Sequence, residues 1–392
     1  MPEFDAYLMV DWSASSRPKT GRDSVWYCLV VRDGDRLPVV ALENPATRRL
    51  AVAKIREILG GFVRRKQMAL VGFDFPFGYP AGFAAALGLT DTPAWRGVWR
   101  EISSRIEDRD DNSNNRFEVA RDLNQRMSRG YPFWGCPKGR ESATISCTKD
   151  RRGYLAEKRL TDIGSMQPIW KLYGNGSVGS QALLGIPHLK ALRYDAGLSP
   201  VSHVWPFETR LRVLPSRQNR GYLIVYAEIY PSLVPIKRAE VEVKDAAQVR
   251  AMALHFAELD DAGKLSELFA GPEYLTPENR ETIEREEGWA LGVLSGQQLQ
   301  PRLALQSRPS TPTAVTRTPV HRGGSARTTA PGYRNKNGQT VLRSTGLAGT
   351  DHGQHVYVLQ CGACRYKYGA NGSDIFQRRC PACQGGRQGL VY

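Results

Sequence analysis

The chain has 392 residues, 41% of them hydrophobic, so it can bury a sizeable core and is long enough for more than one domain. It contains no run of eighteen apolar residues, and it opens without the basic and long apolar regions of a secretory signal. We therefore expect a cytoplasmic protein with no membrane span. Residues 295–392 carry 13 Lys and Arg against two acids, so most of the net charge of +15 lies there. This basic segment favours nucleic acid as a partner, and a segment that only improves solubility is the alternative.

The first eighty residues predict three strands, a helix and a fourth strand. The apolar stretches are DAYLMVDWSA, SVWYCLVVRDGD and RLPVVALENP, and the turn between the last two predicts a hairpin. Thr47 can cap the following helix, TRRLAVAKIREILGGFVRRK. MALVGFDF then predicts a buried strand that arrives after a crossover and runs parallel to the first. The order β-β-β-α-β is the opening of a ribonuclease H-like fold, so the predicted fold class is α/β, a mixed sheet with flanking helices.

Two of these apolar strands end on an aspartate. Asp11 and Asp74 would lie side by side at one edge of the sheet if their strands are parallel neighbours. Glu228 follows another apolar run, and Asp245 opens a predicted helix, DAAQVRAMALHFAEL. Clustered carboxylates repel one another unless divalent cations occupy the gap, so the four acids predict a catalytic Mg²⁺ or Mn²⁺ site with two ions about 4 Å apart. Taken singly, each acid also fits a cap or a turn.

The middle of the chain, from about residue 80 to 220, is rich in Gly, Asn, Arg and Trp and predicts a large insertion in a core that spans residues 1–294. Its glycine-rich loop KLYGNGSVGSQ has neither a Walker ending nor a Rossmann frame, yet it could approach a phosphate closely. The segment NSNNRFEVARDLNQR could place amide and guanidinium groups beside the cleft, or form an ordinary solvated helix. The candidate substrate-binding residues are Asn115, Arg116, Lys171, Gly176 and Ser177.

The C-terminal part divides into a basic flexible linker, 295–332, and a small domain, 333–392. Cys361 and Cys364 form one Cys-x2-Cys pair, and Cys380 and Cys383 form a second one, fifteen residues later. This spacing predicts a closed four-thiolate site for structural Zn²⁺, a zinc ribbon. Its basic side chains would contact nucleic acid, and docking of a protein partner is the alternative; they are Arg365, Lys367, Arg378 and Arg379.

Four motifs, VDWSA, GFDFPFGYP, AEIYPSL and KDAAQVRAMA, occur in an order that resembles a family of predicted ribonuclease H-like nucleases. The resemblance covers about residues 4–294. NRFEVARDLNQRM, GYPFWGCP, YGNGSVGSQALLGIPHL and EEGWALGV resemble one branch of that family. The resemblance implies that Asp11 and Asp74 match the acids of the first and fourth core strands, and that Glu228 and Asp245 match later acid positions. Ribonuclease H also has an acid on its first helix. The candidate here, Glu57, lies in a basic helix that favours a solvated role.

The leading hypothesis is a divalent-metal-dependent nuclease whose carboxylate cluster hydrolyses phosphodiesters, with the zinc ribbon tethering nucleic acid or a partner. A non-catalytic nucleic-acid or protein adaptor on the same scaffold is the first alternative. A small-nucleotide phosphohydrolase is the second, and the presence of only one glycine-rich loop and of no internal duplication counts against it.

Overall fold

The computed structural model describes residues 2–127, 130–149, 154–164, 166–236, 243–294, 328–348, 355–387 and 389–390. The chain divides into two compact units, Met1–Arg302 and Leu303–Tyr392. The linker predicted at 295–332 lies outside the described residues except for 328–332. Across the described residues, no helix combines the length and apolar character needed to cross a bilayer.

A six-stranded mixed sheet forms the centre of the first unit, in the order β3-β2-β1-β4-β6-β5. β1, β2 and β3 form an antiparallel meander, so the predicted hairpin is confirmed. β4 pairs in parallel with β1, as predicted, and β6 and β5 continue the parallel part of the sheet. The strands are β1 (Ala6–Asp11), β2 (Trp26–Val31), β3 (Val39–Glu43), β4 (Ala69–Phe73), β5 (Ser202–Val204) and β6 (Ile224–Glu228).

Helices cover both faces of this sheet. Thr47 caps the first helix, where its hydroxyl accepts a hydrogen bond from the Leu50 amide at 3.3 Å, as predicted. The helices are α1 (Arg48–Arg64), α2 (Phe83–Ala86), α3 (Ala94–Arg105), α4 (Arg116–Arg126), α5 (Val178–Arg193), α6 (Lys244–Asp261), α7 (Leu265–Leu268) and α8 (Pro277–Thr282), and a π-helical turn follows at Ile283–Glu287. α1 and α5 share one apolar core with one sheet face, whereas α6 packs on the other face.

The middle of the chain belongs to this same core. Its helices α3, α4 and α5 bury apolar side chains in the cluster that also holds one face of the sheet. Trp95 stacks on Phe207 with ring centroids 4.9 Å apart. The segment also supplies the edge strand β5, which the sequence did not predict because three residues are too few to show an alternating pattern.

The second unit is a three-stranded antiparallel sheet with a small apolar core. Its strands are β7 (Gln339–Ala348), β8 (His355–Cys361) and β9 (Lys367–Asn371), in the order β7-β8-β9. β8 ends at the first cysteine of the Cys-x2-Cys pairs, so the sheet edge positions the cysteine cluster.

Gly72 gives a test of the close contact between β1 and β4. A Cβ at this position would collide with Sδ of Met9 on β1 and would lie 2.7 Å from Cγ2 of Ile229, just after β6, so Gly72→Ala should destabilise the first unit by about 1–3 kcal/mol through overpacking. The matched control is Gly60→Ala on α1. A Cβ there would meet only Nη1 of Arg64, at 3.5 Å, so this change should stabilise the unit by about 0.5–1 kcal/mol.

Both variants are measured by denaturant unfolding followed by tryptophan fluorescence, because all eight tryptophans lie in the first unit. Equal effects of the two substitutions would contradict the packing described for β4.

Candidate functional site

Three aspartates meet at the carboxyl end of the central strands. β1 ends at Asp11, and Asp74 directly follows β4, its parallel neighbour. The two carboxyl groups lie within hydrogen-bonding reach of each other. Asp245 is in the first turn of α6, and its charge acts on both of them. Of the four acids that the sequence predicts to form one site, the structure brings these three near one another.

Burial and neighbouring charges raise the pKa values in this aspartate cluster. Burial raises the pKa of Asp11 well above its ordinary value, and the charges of Asp74 and Asp245 raise it further. Burial also raises the pKa of Asp74, to about 7, and that of Asp245. Three carboxyl groups that resist simultaneous ionisation are stabilised by either protons or a divalent ion.

Backbone amides fix two of the three carboxylates. The Trp12 amide donates to Oδ1 of Asp74 at 2.6 Å, and the Asp23 amide donates to Oδ2 of Asp245 at 2.7 Å. The oxygens of the three aspartates are spread more widely than the 4.8 Å within which the four C-terminal cysteine sulfurs converge. Among the described residues, the three carboxylates thus do not converge on one point as the four sulfurs do.

Glu228 does not join the three aspartates. It stands in register with Phe73, one residue before Asp74, and therefore faces the opposite side of the sheet. There its carboxylate forms a buried ion pair with Arg159, with Oε1 2.6 Å from Nη2. Its other oxygen accepts a hydrogen bond from the Phe77 amide at 3.0 Å. Glu228 thus fixes the segment that follows Asp74 rather than facing the cleft.

An open cleft of about 610 Å³ lies beside the aspartates. Asp11 and Asp245 line one side of it. Its other lining residues come from the loop after β1 and from the glycine-rich loop before α5, with Arg116 and Gln181 between them. The cleft therefore brings acids and basic side chains to one space, although the two loops are far apart in sequence.

Three of the five candidate substrate-binding residues of this unit line the cleft: Arg116, Gly176 and Ser177. Lys171 instead donates to the Asn175 carbonyl and lies over the Trp134 ring, so it holds the glycine-rich loop in place. Asn115 receives a hydrogen bond from the Glu107 amide at 2.9 Å and donates to the Arg105 carbonyl, so it braces a turn.

The sequence reasoning missed the residues that hold the first loop of the cleft. Arg48 is fully buried, and Asp108 accepts from its Nε at 2.7 Å and from its Nη2 at 2.5 Å. Nη1 of Arg48 donates to the carbonyls of Ser13 and Ser15, at 3.0 and 2.7 Å. No sequence signal identified Arg48, because it begins a helix rich in basic residues and resembles its solvated neighbours.

The second unit gathers its four cysteines at one point. Sγ of Cys361 is 3.6 Å from that of Cys383, and Sγ of Cys364 is 3.5 Å from that of Cys380. A backbone hydrogen bond from Cys364 lowers the pKa of the Cys361 thiol to about 6, which favours the thiolate that a metal needs. The four cysteines can hold a metal ion.

The predicted basic contacts of the second unit differ in exposure. Arg365, Lys367 and Arg379 are exposed. Arg378 is buried, pairs with Asp374 and donates to the Arg387 carbonyl at 3.2 Å, so it supports the fold around the cysteines.

Comparison of the chain with protein-family models, with curated proteins and with solved structures found no match in any of the three. The functional assignment therefore depends on the residues and the geometry.

The repulsion within the aspartate cluster predicts a pH-dependent stability. The folded-state pKa of Asp74, about 7, is raised above its ordinary 3.8, and that of Asp11 is also raised. The folded chain therefore holds protons that the unfolded chain releases, and without metal its stability falls as the pH rises from about 4 through 7. Asp11→Asn should be more stable than the parent by about 1–2 kcal/mol at pH 8, with little difference at pH 4.

Denaturant unfolding with a chelator present measures this difference at each pH. Asp122→Asn, an exposed aspartate on α4 paired with Arg121, is the control and should follow the parent. Parallel curves for Asp11→Asn and the parent between pH 4 and 8 would show that the carboxyl groups do not repel one another.

Proposed function

We propose that the first unit is a divalent-metal-dependent phosphodiesterase that acts on nucleic acid, on a ribonuclease H-like core. The observation that carries the proposal is the cluster of Asp11, Asp74 and Asp245, of which the first and third line a cleft that also carries basic side chains. Buried carboxylates that repel one another are suitable ligands for Mg²⁺ or Mn²⁺. A nucleic-acid strand supplies the phosphates for the basic walls.

The topology supports the assignment to the ribonuclease H-like class. Three antiparallel strands, a helix and a fourth strand parallel to the first follow one another, and β1 lies between β2 and β4. This arrangement sets the first and fourth strands side by side, so that the aspartates at their ends share one edge. The resemblance of the motifs around Asp11 and Asp74 points to the same class.

In the proposed reaction, Asp11 and Asp74 would hold the metal from the sheet and Asp245 would hold it from α6, directly or through water ligands. The metal, when bound, supplies an activated water and offsets the negative charge that develops on the phosphate. The Trp12 amide orients Asp74, and the Asp23 amide orients Asp245. Glu228 would not bind the metal. It accepts a hydrogen bond from the Phe77 amide and pairs with Arg159, and so supports the segment that follows Asp74.

The second unit would bind one structural Zn²⁺ through its four cysteines and serve as a tether for nucleic acid. Four thiolates complete a tetrahedral site and leave no position for substrate, so the metal would stabilise the fold only. Arg365, Lys367 and Arg379 offer charge for phosphates. Tyr366 is 49% exposed and offers a ring for stacking on bases.

Nuclease assays with Mg²⁺ or Mn²⁺ test the first unit. Asp11→Asn and Asp74→Asn should each lower the cleavage rate on the order of 100-fold or more, about 2.7 kcal/mol of transition-state stabilisation, while retaining nucleic-acid binding. Glu57→Gln is the matched control, because Glu57 is an exposed acid paired with Lys54 on α1, and it should cleave like the parent. If both aspartate variants cleave at the parental rate, the assignment fails. Absence of Mg²⁺ binding in calorimetry would favour the non-catalytic adaptor.

Metal analysis tests the second unit. The purified chain should carry one zinc, and Cys380→Ser should lose it together with the protease resistance of the second unit, because the metal contributes directly to folding. Cys147→Ser, which removes a half-buried thiol from the first unit, should keep the zinc. Full zinc content in Cys380→Ser would rule out the four-thiolate site.

A further inference from the structure

Arg116 is a buried cation without a counter-ion at the wall of the cleft. Only 7% of the surface of Arg116 is exposed to solvent, and this residue lines the cleft. Among the described residues, no carboxylate lies within ion-pair distance of its guanidinium. The other deeply buried arginines of this unit differ, since Arg48 pairs with Asp108, and Arg159 pairs with Asp162 and Glu228.

Neutral groups hold the Arg116 side chain in place. Its Nε donates to the Ser180 hydroxyl at 2.9 Å, and its Nη1 donates to Ser16 Oγ at 2.8 Å and to Asn114 Oδ1 at 2.7 Å. The guanidinium also lies over the Phe117 ring, 4.4 Å from its centroid. Within the part of the chain that the structure describes, Nη2 has no hydrogen-bond acceptor. These contacts hold the guanidinium group of Arg116 in a fixed orientation, and its Nη2 remains available to donate a hydrogen bond.

The charge on Arg116 persists at neutral pH. Burial lowers the pKa of Arg116 to about 10, which still leaves the guanidinium protonated. A buried charge without a partner is costly, and a positioned guanidinium with a free edge binds planar or tetrahedral oxyanions. The cost is relieved when an anion enters from the cleft.

The amino end of α5 lies at the same wall. α5 has 16 residues, and Ser177, its N-cap, makes no capping hydrogen bond with its side chain. The backbone N–H groups of Gly176 and Ser177 donate to no acceptor among the described residues, and both residues line the cleft. Gly176 has φ +73°, and a Cβ there would lie 2.6 Å from Gln167, so the loop requires glycine at this point. Free amides at a helix N-terminus favour an anion.

We propose that Arg116 and the amino end of α5 form a phosphate-binding subsite that holds a phosphate of the substrate next to the one that is cleaved. The identification of the bound phosphate as part of a nucleic-acid substrate rests on the proposed function. The binding of an anion at this subsite does not depend on it. Lys19 and Arg22, on the loop after β1, also line the cleft, but both pair with Asp23 at 3.6 Å, which leaves Arg116 as the basic side chain that the subsite uses. The acids and this subsite thus contact different phosphates of one strand, the acids through metal and the subsite directly.

The test uses the full chain in low-salt buffer without divalent metal, with inorganic phosphate as the probe. Phosphate should raise the thermal midpoint of the parent and give a measurable dissociation constant in calorimetry, whereas acetate at the same ionic strength should bind at least tenfold more weakly. Arg116→Gln should weaken phosphate binding tenfold or more. Arg116→Lys keeps the positive charge but loses the planar guanidinium group. Its phosphate affinity should therefore lie between that of the parent and that of Arg116→Gln.

Ser177→Asp gives a second test that survives any folding defect of the arginine variants. A carboxylate at the N-cap favours helix formation, so the variant should melt at or above the parental temperature without phosphate. The same charge repels an anion, so the stabilisation by phosphate should disappear. Arg100→Gln removes an exposed arginine that pairs with Asp91, far from the residues that line the cleft, and should bind phosphate like the parent.

The outcomes separate this subsite from the nuclease assignment, because phosphate binding is measured without metal or nucleic acid. Phosphate binding that is lost in Arg116→Gln and Ser177→Asp supports the subsite even if the aspartate variants cleave normally. A parent that binds no phosphate, or a Ser177→Asp variant that binds it with parental affinity, overturns the subsite and leaves the nuclease assignment intact.

Discussion

Repulsion among Asp11, Asp74 and Asp245 is the interaction on which the candidate site depends. The pairing of β1 with β4 forces the first two carboxyl groups together, and α6 brings the third. Burial withholds the water that would screen them, so their pKa values rise. The amides of Trp12 and Asp23 keep two of them from turning away. The fold therefore maintains an unfavourable charge distribution that protons or a divalent ion can relieve.

The cleft places the opposite sign of charge a short way along the same surface. Arg116 has no acidic partner among the described residues, whereas Arg48 is neutralised by Asp108 and serves to hold a loop. Two buried arginines thus have different roles, and the presence or absence of a carboxylate distinguishes them. The presence of acids and of an unpaired arginine in one cleft is compatible with the proposed action on a polyanion.

Much of this arrangement could be predicted from the sequence, because it depends on local patterns. Apolar runs that end on Asp11 and Asp74 indicated neighbouring strands, and Thr47 indicated the start of α1. Glu228 shows the limit. It also ends an apolar run, but its register places it opposite Phe73 and so on the other face of the sheet. Register between strands some 150 residues apart depends on packing, and the partner Arg159 lies in a polar segment with no recognisable pattern.

The backbone of one residue, Trp12, contacts both walls of the cleft. The Trp12 amide donates to Asp74 at the end of β4, and the Trp12 carbonyl accepts from Nε2 of Gln181, in the first turn of α5, at 2.5 Å. The amino end of α5 and a carboxylate of the acid cluster are therefore linked through the backbone of one buried residue. By thermodynamic reciprocity, any effect that occupancy of one wall had on the affinity of the other would be matched by an equal effect in the reverse direction.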